Sequence, residues 1–342
     1  MNPHIITLPR RVVIGRNVLD LLDNTLMELG YRKPLVLCDP NTKAIAGDHI
    51  VDFLSGFKPA MGIVKEPSVS ESGRIRERHK ERDVIIAAGG GSVIDVAKLA
   101  AFESGTGFIS VPTALSHDGI ASAAASLINH KGKGSFTAKP PDAIIADITI
   151  LMNAPYRMTA SGYADVVSNI TSVFDWRLSH NDTGEYFSEY SAGLALLSAD
   201  TAIKSAKSIR NRKERGIRTL VQALLSSGIS MSLAQSSRPA SGAEHAFSHA
   251  LDRLGSPALH GEQCGVGSIL MAYWQGQDWK RIRSALKNAG APTTAEELGI
   301  DKDVILKAVV EARNIRDRYT ILSKKPLDRE SAEEICRATG VF

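Results

Sequence analysis

DVIIAAGGGSVIDVAKLAAFES, residues 83–104, places a short apolar run, three glycines and a helical pattern end to end. The run VIIAA shows no polar alternation, the composition of a strand covered on both faces. Beyond Gly91 the apolar residues recur at steps of three and four, so a helix starts directly behind the glycines. Such a junction turns backbone N–H groups and a helix N-terminus toward a phosphate, and glycines leave no Cβ in its way. Ser92 adds a hydroxyl donor, and Asp95 in the first turn suits the helix dipole. The letters are neither GxGxxG nor the GxxxxGK[ST] of an ATP loop. A turn that merely packs strand against helix would be spelled the same way.

Working outward, the same rhythm fills the first 150 residues. IITLPRRVVIG reads as strand, and VLDLLDNTLMELG as an amphipathic helix ending at Gly30. The strand runs PLVLCD and MGIVKE alternate with helices around NTKAIAGDHIVDFLSG and SESGRIRERHKE, and GFISVPT follows the glycine helix. Alternation of this kind predicts a largely parallel sheet covered by helices. After residue 150 long Ala- and Leu-rich helical patterns take over. The expected architecture is an α/β, Rossmann-like nucleotide domain over residues 1–150 and an all-helical domain over 151–342. Asp39, closing PLVLCD, serves equally as a loop aspartate or as an acceptor for adenosine ribose hydroxyls.

Composition narrows the class. The 342 residues are 43% hydrophobic and 23% charged, an ordinary globular balance. The net charge of +4 is too small to imply nucleic acid. The basic run KSAKSIRNRKERGIR, residues 204–218, reads as a solvated helix face and turn. No apolar run reads as long enough for a bilayer, and MNPHIITLPRRVVIG has no secretory pattern, so a cytoplasmic protein without membrane insertion is expected. Cys38, Cys264 and Cys336 are scattered and form no CxxC pair, which leaves nitrogen and oxygen as the expected donors for any metal.

SGAEHAFSHALDRLGSPALHGEQCG, residues 241–265, carries three of the nine histidines. His245 and His249 are four apart and share a helix face; Gly255 and Pro257 then break the helix before His260. The spacing fits helix packing and a shared divalent cation alike. A carboxylate from elsewhere would complete a metal site, and Asp165 in SGYADVVSN is the best candidate.

GGGSVID, PTALSHDGIAS, SGYAD, GAEHAFSHALD and ALHGEQCGVG, in this order, resemble archaeal-type sn-glycerol-1-phosphate dehydrogenases. These belong with glycerol dehydrogenases, iron-dependent alcohol dehydrogenases and dehydroquinate synthases, so a dehydroquinate synthase-like fold is implied. The resemblance runs from about residue 5 to the C-terminus. It implies zinc held by Asp165, His245 and His260, with Asp165 also at the substrate. His249 and Asp118 would be catalytic and substrate-binding. The dinucleotide, NAD(H) or NADP(H), would lie on Gly89, Gly90, Gly91, Ser92, Val93, Ile94 and Asp95, and on Thr113, Ala114, Leu115 and Ser116, with Ser122 nearby and Asp39 at the ribose.

The implied reaction is reversible reduction of dihydroxyacetone phosphate to sn-glycerol 1-phosphate, for the backbone of archaeal-type phospholipids, by a homo-oligomer. Lys131, Lys133 and Lys139 are candidates for the substrate phosphate, though loop lysines are commonly just solvated. Asp39 would favour NADH by repelling a 2′-phosphate, and Lys43 would soften that preference. The alternative is a glycerol dehydrogenase acting on an unphosphorylated polyol.

Overall fold

The computed structural model describes residues 4–130 and 132–342. The chain divides into two compact units, Met1–Pro155 and Tyr156–Phe342.

In the first unit the strands are β1 (Arg11–Gly15), β2 (Pro34–Cys38), β3 (Ala60–Ile63), β4 (Val84–Gly89), β5 (Gly107–Pro112), β6 (Ala124–Asn129), β7 (Gly132–Thr137) and β8 (Ala143–Asp147). Six of them form one sheet in the order β1-β8-β5-β4-β2-β3, every neighbouring pair parallel. The run VIIAA lies in β4, buried along its whole length between β2 and β5, which explains its lack of polar alternation. Val36, Ile86, Ile109 and Ile145 from four strands meet Leu22 and Leu26 of helix α1 (Leu22–Leu29) and Ile50 in one core. Each such side chain contributes about 2 kcal/mol by leaving water. Helix α1 stops at Gly30, whose φ of 81° a side chain would resist.

The sheet confines the first strand to Arg11–Gly15, shorter than IITLPRRVVIG suggested. It also adds β8 and the antiparallel hairpin β6–β7, which the alternation of strand and helix did not include. The hairpin was hard to read because β7 is GKGSFT, poor in β-branched residues and mostly exposed. Chain order reverses between β2 and β4: from β2 the chain goes to β3 on one side, and from β4 to β5 on the other. Ligands of open parallel sheets bind outside the strand C-termini at such a switch point. The glycines follow β4 there and lead into helix α2 (Gly91–Ser104), and Asp39 follows β2.

The second unit has no strand among its residues. Its helices include α3 (Tyr156–Val167), α4 (Glu214–Ala234), α5 (Ala243–Arg253) and α6 (His260–Trp274). Helix α4, with 21 residues, corrects one expectation, since it is long and apolar enough to cross a membrane by length and composition. Two-thirds of its most apolar stretch (67%) is buried in the unit itself, with Leu220, Val221 and Leu224 fully enclosed, so it is the unit's core helix. Helix α6 carries Gly261 and Gly267 where it meets its neighbours. A Cβ on Gly261 would overlap the Ser161 carbonyl of α3, and one on Gly267 would lie 3.0 Å from the Glu244 carbonyl of α5.

Candidate active site

In the first unit Gly90 is the N-cap of the 14-residue helix α2, and no side chain caps it. The first N–H groups of a helix lack intrahelical partners and carry its positive dipole end. A Cβ on Gly90 would meet nothing within 4 Å, whereas one on Gly91 would overlap the His117 ring and one on Gly89 would lie 2.5 Å from Val93. The three glycines therefore do different jobs: two permit internal packing, and one leaves an open approach to the helix end. That opening fits the pyrophosphate of a dinucleotide.

The loop after β5 is tied back to this junction, since Thr113 N–H donates to the Gly89 carbonyl at 3.0 Å. Thr113, Ala114, Leu115 and Ser122 are buried, while Ser116 and Asp118 keep partly exposed faces. Ser92 is exposed; Val93 and Ile94 are enclosed, so only their backbone can face a ligand. Asp95, expected at the dinucleotide, turns its side chain into the fold. It is buried, and its carboxylate accepts from Lys98 Nζ at 3.2 Å and from Ser126 N–H at 3.0 Å. Asp39 caps the turn after β2, its Oδ1 accepting from Asn41 and Thr42 N–H at 2.8 Å. Lys43 pairs with Asp48 at 2.6 Å.

In the second unit, Asp165 of α3, His245 of α5 and His260 at the start of α6 converge. Asp165 Oδ1 lies 3.7 Å from His245 Nε2 and 3.8 Å from His260 Nε2. These separations are too long for hydrogen bonds. They approach the roughly 3.4 Å between donors around a tetrahedral zinc at 2.0–2.1 Å.

The far side of each imidazole is fixed. His245 Nδ1 is 2.8 Å from Glu244 Oε1, and Glu244 is fully buried, accepting also from Ser172, Thr171 and Gly242 N–H. Burial works to raise the Glu244 pKa, but these donors outweigh it and hold it low, so Glu244 is ionised and Nδ1 carries the proton. Ser248 Oγ gives its one proton to Gln263 Oε1 at 2.6 Å and so accepts from His260 Nδ1 at 3.0 Å. Each Nε2 is thus the nitrogen turned toward a cation, the arrangement that outer hydrogen bonds impose on metal-binding histidines. Although burial opposes it, Cys264 and Glu244 beside His245 raise its pKa well above the usual imidazole value, so a cation binding there displaces a proton. The donor set fits a divalent ion.

His249 stands outside this cluster. Its ring centroid is 5.9 Å from that of His260, and its Nε2 is 2.6 Å from Arg316 Nη2.

The first unit matches the family described as iron-containing alcohol dehydrogenase over residues 13–155. The glycerol-1-phosphate dehydrogenase [NAD(P)+] of Pyrococcus horikoshii is 50% identical over 99% of this chain and 100% of its own. That of Methanothermobacter thermautotrophicus is 45% identical over the full length of both. The chain belongs to the glycerol-1-phosphate dehydrogenase family. Among solved structures, the fold of this family member is similar to a glycerol dehydrogenase from Schizosaccharomyces pombe (TM-score 0.83, 22% identity, 99% of this chain and 91% of that one). It is likewise similar to a sulfoacetaldehyde reductase from Bifidobacterium kashiwanohense in complex with NAD+ (TM-score 0.78, 16% identity, 99% of each chain).

Several residues of this glycerol-1-phosphate dehydrogenase family member went unread in the sequence. Cys264 joins Asp165, His245 and His260, with one donor atom from each of the four within 4.8 Å of the others, although only nitrogen and oxygen donors were expected. The signal was available: Cys264 is four residues after His260 and so on the same helix face. Burial, above all, pushes its thiol up to about 11, so in the metal-free chain it is protonated. Lys98 is fully buried and donates to the Gly119 and Ala124 carbonyls at 2.7 Å, which ties the helix behind the glycines to the loop that follows β5. Of the lysines considered for phosphate, Lys131 lies outside the described residues. Lys139 Nζ donates to the Thr106 carbonyl at 2.7 Å, and Lys133 is exposed on β7.

Proposed function

We propose that the chain interconverts dihydroxyacetone phosphate and sn-glycerol 1-phosphate with NAD(P)H, using a zinc ion held by Asp165, His245 and His260. One observation carries the reading: two imidazole Nε2 atoms and a buried carboxylate oxygen converge, with each Nδ1 engaged behind them. It occurs in a chain half identical to dehydrogenases of that name. When bound, zinc supplies a Lewis acid for a carbonyl oxygen, and the reduced nicotinamide supplies hydride.

The chain's own residues do the rest. Glu244 and Ser248 orient the two imidazoles and turn their Nε2 atoms toward the ion. Gly90 and the uncapped start of α2 receive the pyrophosphate. Asp39 Oδ1 is occupied by its capping bonds, which leaves Oδ2 for a ribose hydroxyl and favours NADH. His249 accepts from Arg316 at Nε2 and stands beside the cluster, its ring 5.9 Å from that of His260, where it meets substrate. The reading takes the protein to work in the cytoplasm as a homo-oligomer supplying a phospholipid backbone.

Purified protein incubated with dihydroxyacetone phosphate and each reduced cofactor tests this, the product being resolved by a chiral assay. The expected product is sn-glycerol 1-phosphate, lost on chelation and restored by zinc. Turnover of dihydroxyacetone but not of its phosphate would replace the reading with a glycerol dehydrogenase.

A further inference from the structure

Beside the metal-type cluster the second unit holds three arginines: Arg316 and Arg318 from the segment RNIRDRY, residues 313–319, and Arg238, which donates to the Tyr319 carbonyl at its end. Arg238 has a counter-charge: it is buried and paired with Glu185. The other two differ. Arg318 donates to the Ser241 carbonyl at 2.7 Å and to Ser237 Oγ at 2.9 Å, both neutral acceptors. Arg316 donates to Ser241 Oγ at 3.2 Å and to His249 Nε2 at 2.6 Å, again neutral. Neither forms an ion pair with a carboxylate among the described residues.

Two guanidinium groups with no carboxylate in contact, only the more distant charges of Glu185 and Glu244, are costly in a partly buried place, because neutral acceptors do not replace the solvation of a charge. Burial lowers the pKa of both, Arg318 to about 10, and there Arg316 and Arg238 add repulsion. Arg318 is locked by the Ser241 carbonyl and Ser237. Arg316 keeps a partly exposed face and spends its donors on a neutral imidazole and a hydroxyl, neither of which is a charged acceptor. An anion with two or three oxygens would satisfy it better. The place is also fixed: His249 links Arg316 to the cluster, its ring 5.9 Å from His260.

We infer that Arg316 is the residue that recognises the phosphate of the substrate, with Arg318 supplying supporting positive charge. The inference rests on the proposed function for the identity of the anion and goes beyond it by naming the specificity residue. A planar fork suits a phosphate bidentately, which a lysine does not reproduce. It also explains how one metal-type centre distinguishes a phosphorylated triose from the free one. As phosphate takes the fork, His249 Nε2 is released from Arg316.

The test uses the full-length, zinc-loaded protein and two variants, Arg316→Gln and Arg316→Lys. For the wild type, kcat/KM on dihydroxyacetone phosphate should exceed that on dihydroxyacetone. In Arg316→Gln that ratio should fall about 100-fold, chiefly through the KM of the phosphate ester, and Arg316→Lys should recover part of it. Inorganic phosphate binding, followed by calorimetry, should be measurable in the wild type and at least 10-fold weaker in Arg316→Gln. Metal content by elemental analysis should be unchanged.

An unaltered substrate ratio, or equal phosphate affinity in wild type and variant, overturns the inference. So does a loss of kcat on both substrates alike with metal retained, which would make Arg316 a positioning residue for His249. Should Arg316→Gln not fold, Arg316→Lys carries the same comparison. Phosphate binding needs no turnover, so it can succeed while the proposed reaction fails.

Discussion

His245 and His249 stand one helical turn apart with different surroundings. His245 Nδ1 is held by a buried carboxylate, while His249 Nε2 faces a guanidinium. His245→Ala should therefore lose the metal outright, whereas His249→Ala should retain it and lose turnover; elemental analysis and kinetics on both variants check this. Equal metal loss would show the ligands wrongly assigned. Glu244→Gln should weaken zinc affinity by about 10–100-fold without removing a ligand, read by competition with a chromogenic chelator. At this scale, residue types and spacing made the histidines and Asp165 legible as candidates. Their supports were not legible, because Glu244 and Ser248 look like any polar helix residues until the fold brings Ser172, Gly242 and Gln263 to them. The arginines of RNIRDRY were invisible for a related reason: a missing counter-ion is a property of the fold.

The strand–glycine–helix junction separates two effects that a motif merges. Gly90→Ala should leave the melting temperature nearly unchanged and raise the cofactor Kd, since its Cβ would meet only open space. Gly91→Ala should instead destabilise the fold by about 1–3 kcal/mol, because a methyl group there overlaps His117. Thermal melts with and without NADH distinguish them. Lys98→Met strands two carbonyls and Asp95, at a cost of about 3–5 kcal/mol by denaturant titration. Buried parallel strands such as β2, β4 and β5 announce themselves as unbroken apolar runs. The hairpin β6–β7 does not, since its register depends on pairing with itself more than on burial.

For the molecule as a whole, titration and metal binding shift the stability. Asp175 is buried, and desolvation first, with Glu244 repulsion second, pushes its pKa up to about 7. The folded protein therefore holds this proton between about pH 4 and 7 while the unfolded chain has released it, and stability falls as pH rises through that window. The slope from this group is at most about 1.4 kcal/mol per pH unit, and Asp175→Asn should flatten it in urea titrations across the range. Zinc at about 100 times its Kd should add about 2.7 kcal/mol, a rise of about 5–10 °C in melting temperature that His245→Ala abolishes. The family and the class of reaction were legible because several motifs kept their order along the whole chain. The dependence of stability on a buried acid such as Asp175 was not, since nothing in its neighbours in sequence marks it as enclosed.

Helix α6 touches α3 and α5 through glycines, so its backbone rests on theirs with no side chain of its own between to yield. The three donor-bearing segments are thus stacked like rods in direct contact, and their spacing is set by the van der Waals radii of backbone atoms. Such a frame cannot spread without losing those contacts, and the fit to an ion is left to the side chains of Asp165, His245 and His260, whose facing donors stand 3.7 and 3.8 Å apart.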